Sequence, residues 1–253
     1  MFKTAPQFRV ALAESEADLR AAQRLRYEVF VEELGGSGAM IDHAARLEMD
    51  RFDPIFDHLL LFDDARPADP VVGVYRLLPD TQAREIGQFY SEDEYDLSPL
   101  HASGRRLMEL GRSCLHRDYR GGPGMMHLWQ GLADYVERHG IEILFGVASF
   151  HGTDTSALAQ PLSNLHYNHL APEVLRVRSR AFERMDLVPQ DALDRPRAVR
   201  ETPALIKGYL RLGGAVGEGA FVDRAFNTVD VCLVMDTATL EPMRRAIYAK
   251  GRA

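Results

Sequence analysis

The chain has 253 residues, of which 46% are hydrophobic and 26% charged, and its formal net charge is −7. This length allows a full hydrophobic core, and the negative charge argues against a nucleic-acid-binding protein. The N-terminal segment lacks the long apolar stretch of a signal peptide, and the longest apolar runs are too short to span a membrane. The two cysteines, Cys114 and Cys232, cannot supply a disulfide framework. These features together predict a cytoplasmic protein.

The N-terminal part predicts a strand followed by an amphipathic helix. Phe8–Ala13 has the pattern of a short strand, and Ser15 with Asp18 forms a capping box at a helix start. Apolar residues then recur at helical spacing over residues 16–33. Glycines at 35, 36 and 38 end this helix and predict a loop.

The rest of the chain begins with strands as a meander and later alternates strands with helices, which favours a mixed α/β fold. We predict one domain over residues 1–253, in which 200–253 is a C-terminal extension packed on the same sheet. Residues 79–104 are polar and predict irregular structure with one short helix near Ser91. The predicted strands are His58–Phe62 and Val71–Leu78 (an antiparallel hairpin), Leu107–Leu115, Ile143–Phe150 and Thr228–Met235, and the main later helices are Met125–His139 and Pro203–Leu212.

The stretch Leu107–Trp129 carries the clearest chemical pattern. An apolar strand holding Glu109 runs into a glycine-rich turn, which leads into a helix that opens near Pro123. Backbone N–H groups and the positive end of a helix dipole favour an anion at such a turn. A proton acceptor beside a phosphate-binding turn is what group transfer from a phosphate-bearing carrier requires.

Glu109 has two interpretations. An unpaired carboxylate is costly to bury, so its place in an apolar strand points either to a general base or to a structural salt bridge with Arg112 or Arg76. A general base would take a proton from a substrate ammonium, directly or through water, so that the amine can attack a thioester. The residue types alone do not separate these two alternatives.

Charge is segregated along the chain. Residues 42–64 carry seven acids against two arginines, which suits a cationic substrate, whereas arginine-rich segments at 101–124 and 174–200 suit an acidic or phosphorylated partner. Solvated protein faces are the alternative for each segment. For Asp50 and Asp53 singly, capping of a turn is an equally good explanation.

The turn Arg120–Met125 resembles the acetyl-coenzyme A signature of the GNAT acyltransferase superfamily. Pro123 and Met125 replace its two glycines, and a proline donates no N–H group, so ordinary coenzyme A binding is disfavoured. The resemblance implies a GNAT-like N-acyltransferase fold, a mixed, mostly antiparallel central sheet flanked by helices.

A second resemblance covers residues 26–236. The segments RYEVFVEELG, ELGRSCLHRDYR, LIKGYLRLGGAVGEGAFVD and FNTVDVCLVMD are similar to the bacterial L-ornithine Nα-acyltransferases of ornithine lipid synthesis, which are related to acyl-homoserine-lactone synthases. This resemblance implies transfer of a 3-hydroxyacyl chain from acyl carrier protein to the α-amine of L-ornithine, giving lyso-ornithine lipid. It implies acyl-phosphopantetheine on the carrier as donor, no permanently bound cofactor, and peripheral contact with the inner membrane.

His166 and His169 lack a further ligand at metal spacing, so no metal site is predicted.

The same resemblance assigns roles to individual residues. The predicted catalytic residues are Glu109, Arg26 and Tyr167; the substrate-binding residues are Phe30, Asp50, Asp53, Arg76 and Arg112; and the residues predicted to bind phosphopantetheine or the carrier are Gly111, Ser113, Arg117, Arg120, Gly121, Gly122 and Gly124.

Three alternatives share the same sequence features. One is an acyl-homoserine-lactone synthase, although Trp129 lies in the later helix rather than after the first one, where those enzymes carry a tryptophan. A second is a long-chain N-acyl synthase for another amino acid. A third is a catalytically idle module that binds acyl carrier protein or lipid, which the altered Pro123 and Met125 favour and the retained Glu109 disfavours.

Overall fold

The computed structural model describes residues 5–239, which group into two compact units. Residues 5–78 and 110–140 form the first unit, and residues 79–109 and 141–239 form the second. The strands are β1 Phe8–Leu12, β2 Asp57–Asp63, β3 Val71–Pro79, β4 Tyr95–Asp96, β5 Leu107–Leu115, β6 Ile143–His151, β7 Arg178–Ser179, β8 Ala215–Val216, β9 Phe221–Asp223 and β10 Thr228–Asp236. The helices are α1 Glu16–Arg26, α2 Asp80–Ile86, α3 Ser98–Ala102, α4 Gly124–His139, α5 Ala159–His169, α6 Arg195–Glu201 and α7 Ala204–Arg211.

In the first unit the strand order is β1-β2-β3-β5, and the β1–β2 and β2–β3 pairs are antiparallel. This confirms the predicted hairpin. Ala22 and Leu25 of α1, with Val29 just after it, pack on the strands and are buried with Leu60 and Cys114. The helix therefore contributes its predicted hydrophobic face to the core of this unit.

The start of α1 is the predicted capping box, in which the Ser15 hydroxyl accepts from the Asp18 N–H and the Asp18 carboxylate accepts from the Ser15 N–H, both at 3.1 Å. After Arg26 the helix continues as a π-helix, Tyr27–Glu33. Such wide turns are often found at functional sites. Gly35 follows with a φ of 73°, so the predicted end of the helix is confirmed.

Helix α4 packs tightly on β1 and β2 because Gly131 has no side chain. A Cβ atom at this position would lie 2.5 Å from Val10 Cγ1 and 3.4 Å from Leu59 Cδ2. Gly140, at φ 60°, ends the helix in the left-handed conformation, directly after the predicted last residue His139.

In the second unit the strand order is β5-β6-β10-β8, with β9 also paired to β10 and a separate β4–β7 pair. Residues Leu107–Glu109 of β5 run parallel to Ile143–Phe145 of β6, and β10 runs antiparallel to the full length of β6. The prediction for 79–104 is wrong in part. This segment holds α2, a 3-10 helix at Tyr90–Asp93, β4 and α3, which are too short to show a clear periodicity.

The predicted C-terminal extension begins at residue 200, and its described part, 200–239, includes β8, β9 and β10 in the sheet of the second unit. Residues 240–253 lie outside the described part of the chain. The organisation of the whole chain as one domain stays a prediction.

Candidate active site

Arg26 is the centre of a buried ionic network in the first unit. The side chain is 0% exposed, and its Nε donates to Glu48 Oε2 at 2.5 Å. Both Nη atoms donate to the two oxygens of Asp53 at 2.8 Å, so this pair is bidentate. Nη2 also donates to the Glu48 carbonyl oxygen at 2.6 Å. A fully buried guanidinium with this many acceptors is held in one fixed orientation.

Two further arginines complete the network. Arg76 on β3 is also 0% exposed, and its Nη1 donates to Asp50 Oδ2 at 2.7 Å and to Asp53 Oδ1 at 2.8 Å. Arg112 on β5 donates from Nε to Glu48 Oε1 at 3.1 Å and from Nη2 to Asp50 Oδ2 at 3.3 Å. The cluster therefore sets three arginines against three carboxylates, which balances its charge.

Arg112 reaches the network from an unusual backbone conformation. Its φ is 50°, within a strand, and such a left-handed conformation is costly for a residue with a side chain. The strand places Gly111 immediately before it, and a Cβ at Gly111 would lie 3.9 Å from Arg76 Nη2. The local irregularity thus sits beside Arg76 and directs the Arg112 guanidinium toward Glu48 and Asp50.

Glu109 is 1% exposed in the second unit, and its carboxylate is bound by the turn that begins the 3-10 helix. Oε2 accepts from the Tyr90 N–H at 2.7 Å, and Oε1 accepts from the Ser91 N–H at 2.7 Å. The Ser91 hydroxyl also donates to Oε1. Donors on both oxygens compensate the burial of the carboxylate and fix its plane.

The glycine-rich turn leads into α4 as predicted. Gly121 has a φ of 74°, Gly122 is exposed, and Gly124 is buried at the helix start. The two predicted arginines of the turn, Arg117 and Arg120, are exposed and pair with Glu33 at 3.7 and 2.8 Å.

Three further predicted residues lie on β5, on the π-helix and on α5. Ser113 is half-buried in β5 and follows Arg112. Phe30 lies in the π-helix and packs, half-buried, against the core that contains Val29. Tyr167 is on α5 in the second unit, where its hydroxyl donates to the Val188 carbonyl oxygen at 3.1 Å.

Comparison with known proteins identifies the family. Residues 25–130 match the acetyltransferase (GNAT) domain. A protein of Rhodobacter capsulatus named L-ornithine N(alpha)-acyltransferase is 61% identical over 246 residues, which cover 96% of this chain and 95% of that protein. The chain belongs to the L-ornithine Nα-acyltransferase family. It is an acyltransferase, as the sequence predicts, and a Brucella abortus protein of the same name is 44% identical, over 89% of this chain and 83% of its own.

Solved structures agree with the fold expected of this family. An N-acyl amino acid synthase from uncultured soil microbes, FeeM, has a TM-score of 0.52 at 11% identity, over 96% of this chain and 99% of that chain. The coenzyme A-dependent acyl-homoserine lactone synthase BjaI has a TM-score of 0.52 at 17% identity, over 97% and 89%. These likenesses confirm the predicted GNAT-like fold. Among residues 5–239, no helix combines the length and apolar character that crossing a membrane demands.

In this acyltransferase the arginines of the ionic network lower the pKa values of two of its carboxyl groups. Burial would raise the pKa of Asp53, but the hydrogen bond and charge of Arg26, with the charge of Arg76, hold it well below its ordinary value. Glu48 is likewise lowered in pKa, because Arg112 and Arg26 outweigh its burial. The pKa of the neighbouring His58 is lowered by burial and by the two arginines.

We expect the low pKa of Asp53 to make the stability of this protein fall at acidic pH. A carboxyl group whose folded-state pKa is depressed adds stability above its unfolded pKa, about 3.9, and loses it as the pH falls toward the folded value. The difference in unfolding free energy between the wild type and Asp53→Asn should therefore be about 3–5 kcal/mol at neutral pH and shrink below about pH 4. Urea unfolding across this range measures it.

Asp64→Asn is the matched control, because Asp64 is exposed in the same unit and pairs at the surface with Arg9. This variant should follow the wild-type pH curve within about 0.5 kcal/mol. A gap for Asp53→Asn that stays constant from neutral to strongly acidic pH would contradict the assignment of Asp53 as a depressed carboxylate.

Most residues of the network are predicted from the sequence, but Glu48 and the partners of Glu109 are not. Glu48 binds Arg26 and Arg112 but appears in the sequence only as one member of an acidic run. Glu109 accepts hydrogen bonds from Tyr90 and Ser91, and both of these residues lie in a segment that is predicted to be largely irregular. A buried carboxylate requires hydrogen-bond donors, so the sequence predicts that Glu109 has such partners. It does not indicate which residues they are.

Proposed function

We propose that this acyltransferase moves a 3-hydroxyacyl chain from acyl carrier protein to the α-amine of L-ornithine, giving lyso-ornithine lipid. The observation that carries the proposal is the 61% identity, over nearly the whole chain, to a protein named L-ornithine N(alpha)-acyltransferase. The Brucella abortus relative bears the same name. We place the enzyme in the cytoplasm, with peripheral contact at the inner membrane, because its product is a lipid.

In the proposed reaction the amine nitrogen attacks the thioester carbonyl carbon. The new C–N bond forms as the C–S bond breaks, and the sulfur that leaves on the phosphopantetheine arm of the carrier takes up the second proton of the nitrogen as a thiol. Glu109 accepts the proton that the substrate ammonium must lose before attack, directly or through one water molecule. The N–H groups of Tyr90 and Ser91 support this role because they hold the carboxylate in one orientation.

The ionic network supplies rigidity next to β5 in the first unit. Arg26 is fully buried, and its donors are bound to Glu48 and Asp53, so we assign it as a positioning residue. The Asp50 and Asp53 carboxylates are engaged first by the internal arginines. Asp50 and Arg112, with side chains 18% and 11% exposed, are the members best placed to meet a substrate.

Donor binding in the proposal uses the glycine-rich turn. Gly111 and Ser113 of β5, with Gly121, Gly122 and Gly124 at the start of α4, offer backbone contacts to a phosphopantetheine arm. Pro123 lies at the helix N-cap and has no N–H to donate, which disfavours a free coenzyme A pyrophosphate. The exposed Arg117 and Arg120 suit the acidic surface of a carrier protein.

The test mixes the enzyme with 3-hydroxyacyl-carrier protein as donor and a panel of acceptors. Release of the free carrier thiol is measured for each acceptor. We expect release with L-ornithine and little release with glycine, tyrosine or S-adenosylmethionine, because the relatives share the ornithine-specific name. Repeating the ornithine reaction with 3-hydroxyacyl-coenzyme A tests the donor, and the carrier-bound chain should react faster. Release with no member of the panel would contradict the proposed activity.

A further inference from the structure

A cluster of three carboxylates lies in the second unit, separate from the arginine network. One oxygen each of Glu94, Asp223 and Asp230 lies within 4.8 Å of the others. Glu94 and Asp230 are 6% and 3% exposed, so two of the three acids are buried. Like charges this close repel each other, and a bound cation relieves that repulsion.

A buried hydroxyl group points into the same cluster. Thr228 is directly opposite Asp223 in the β9–β10 pair and two residues before Asp230 on β10, so its side chain lies on their face of the sheet. Thr228 is 8% exposed, and its Oγ1 has no hydrogen-bond partner among residues 5–239. Buried hydroxyl groups are normally paired, so Oγ1 supplies an acceptor for a bound ligand.

The cluster faces the same side of the sheet as Glu109. Glu109 is opposite Phe145, Phe145 is opposite Val234, and Val234 is four residues from Asp230 on β10, so their side chains share one face. The buried Cys232 lies between them on that face, and the charges of both Glu109 and Glu94 raise the pKa of its thiol in addition to burial.

One short turn joins the two sites. Ser91 donates its N–H to Glu109, and its carbonyl oxygen accepts from the Glu94 N–H at 3.1 Å. Residues 91 and 94 are therefore about 6 Å apart along the 3-10 helix axis, at 2.0 Å per residue. The turn thus links a proton acceptor to a carboxylate cluster, and a substrate that carries two amines on a short aliphatic chain offers one amine to each.

We propose that Glu94, Asp223 and Asp230 bind the side-chain ammonium of the acceptor amino acid, while its α-amine lies at Glu109. Because the three oxygens lie within 4.8 Å of one another, a nitrogen at the centre of the cluster can lie within about 2.8 Å of each, the length of an N–H···O⁻ hydrogen bond. A primary ammonium has three donors, which match the acceptors of this cluster. This inference rests on the proposed function, because it specifies how that acceptor is selected.

The test compares L-ornithine with L-norvaline, which keeps the three-carbon side chain and lacks its terminal amine. The ratio of kcat/KM for ornithine to that for norvaline is measured for the wild type, Asp230→Asn and Asp223→Asn. We expect Asp230→Asn to lower this ratio by about 10- to 100-fold, mainly through a higher KM for ornithine, with norvaline turnover little changed. Asp223→Asn should lower it in the same direction.

Asp191→Asn is the matched control, since Asp191 is exposed in the second unit outside the cluster, and it should keep the wild-type ratio. If Asp230→Asn unfolds, as its melting temperature would show, the half-buried Asp223 carries the test alone. A folded variant in which both substrates fall equally, or neither falls, overturns the inference while leaving ornithine acylation intact.

A divalent cation is the competing occupant. The activity of the wild-type enzyme is therefore also measured with EDTA and with added MgCl2 or MnCl2. Loss of activity with EDTA that Mg²⁺ or Mn²⁺ restores would assign the cluster to a metal and overturn the ammonium site. Failure of the wild type to acylate ornithine at all would instead contradict the proposed function.

Discussion

Replacing Arg26 with alanine is expected to lower the free energy of unfolding by about 3–5 kcal/mol. The substitution removes the cation between Glu48 and Asp53, two carboxylates that are 1% and 4% exposed. It leaves them buried beside each other with fewer donors, and buried charges without compensation are costly. Urea unfolding followed by circular dichroism measures the change.

Arg24→Ala is the matched control for this prediction, because Arg24 is on the same helix two residues away and is exposed. Its loss should change the unfolding free energy by less than about 0.5 kcal/mol. Arg26→Lys should fall between the wild type and Arg26→Ala, since an ammonium keeps the charge but cannot make the bidentate pair with Asp53. An Arg26→Ala protein as stable as Arg24→Ala would show that the network does not support the fold.

Replacing Glu109 with glutamine is expected to reduce kcat by about 10²- to 10⁴-fold, the usual contribution of a general base. Glutamine has the same shape and can still accept one hydrogen bond from the Tyr90–Ser91 turn. Its amide cannot accept a proton from the substrate ammonium. The stability cost should be about 1–3 kcal/mol, because one N–H of the turn then meets an amide donor.

Glu85→Gln is the control for Glu109→Gln, because Glu85 is exposed on α2 in the same unit. The carrier affinity of both variants should match that of the wild type, which separates a loss of chemistry from a loss of binding. Wild-type kcat in folded Glu109→Gln would remove Glu109 from the proposed reaction.

Long elements with a strong periodic pattern are predicted well from this sequence. The helix at Met125–His139 and the strands at Leu107–Leu115 and Ile143–Phe150 occur within one residue of the predicted bounds, since apolar spacing decides them locally. The two-residue strands β4, β7 and β8 are missed. Their partners are distant in sequence, so no local pattern indicates them.

In the candidate site, too, the residues can be predicted from the sequence but their tertiary contacts cannot. The sequence nominates Arg26, Asp50, Asp53, Arg76 and Arg112, and the structure brings all five side chains into one network with Glu48. What could not be predicted is which acid neutralises which arginine, because the answer depends on tertiary contacts.

The carboxylate cluster of the second unit was not predicted for a related reason. Glu94 is more than a hundred residues of chain away from Asp223 and Asp230, and the three meet through the pairing of β9 with β10 and the position of the Tyr90–Asp93 turn. The acidic run at residues 42–64 is instead the segment predicted to suit a cationic substrate. In that run Asp50 and Asp53 are engaged by arginines, and charge density along the chain did not indicate the buried cluster of the second unit.

Mass spectrometry of the reaction product tests the central claim most directly. The purified enzyme is mixed with 3-hydroxyacyl-carrier protein and L-ornithine, and the product is fragmented to locate the new amide. The account predicts a singly acylated ornithine with the 3-hydroxyacyl chain on the α-nitrogen and a free side-chain amine. Acylation of the side-chain amine, or no acylated ornithine despite a folded enzyme and intact donor, would contradict it.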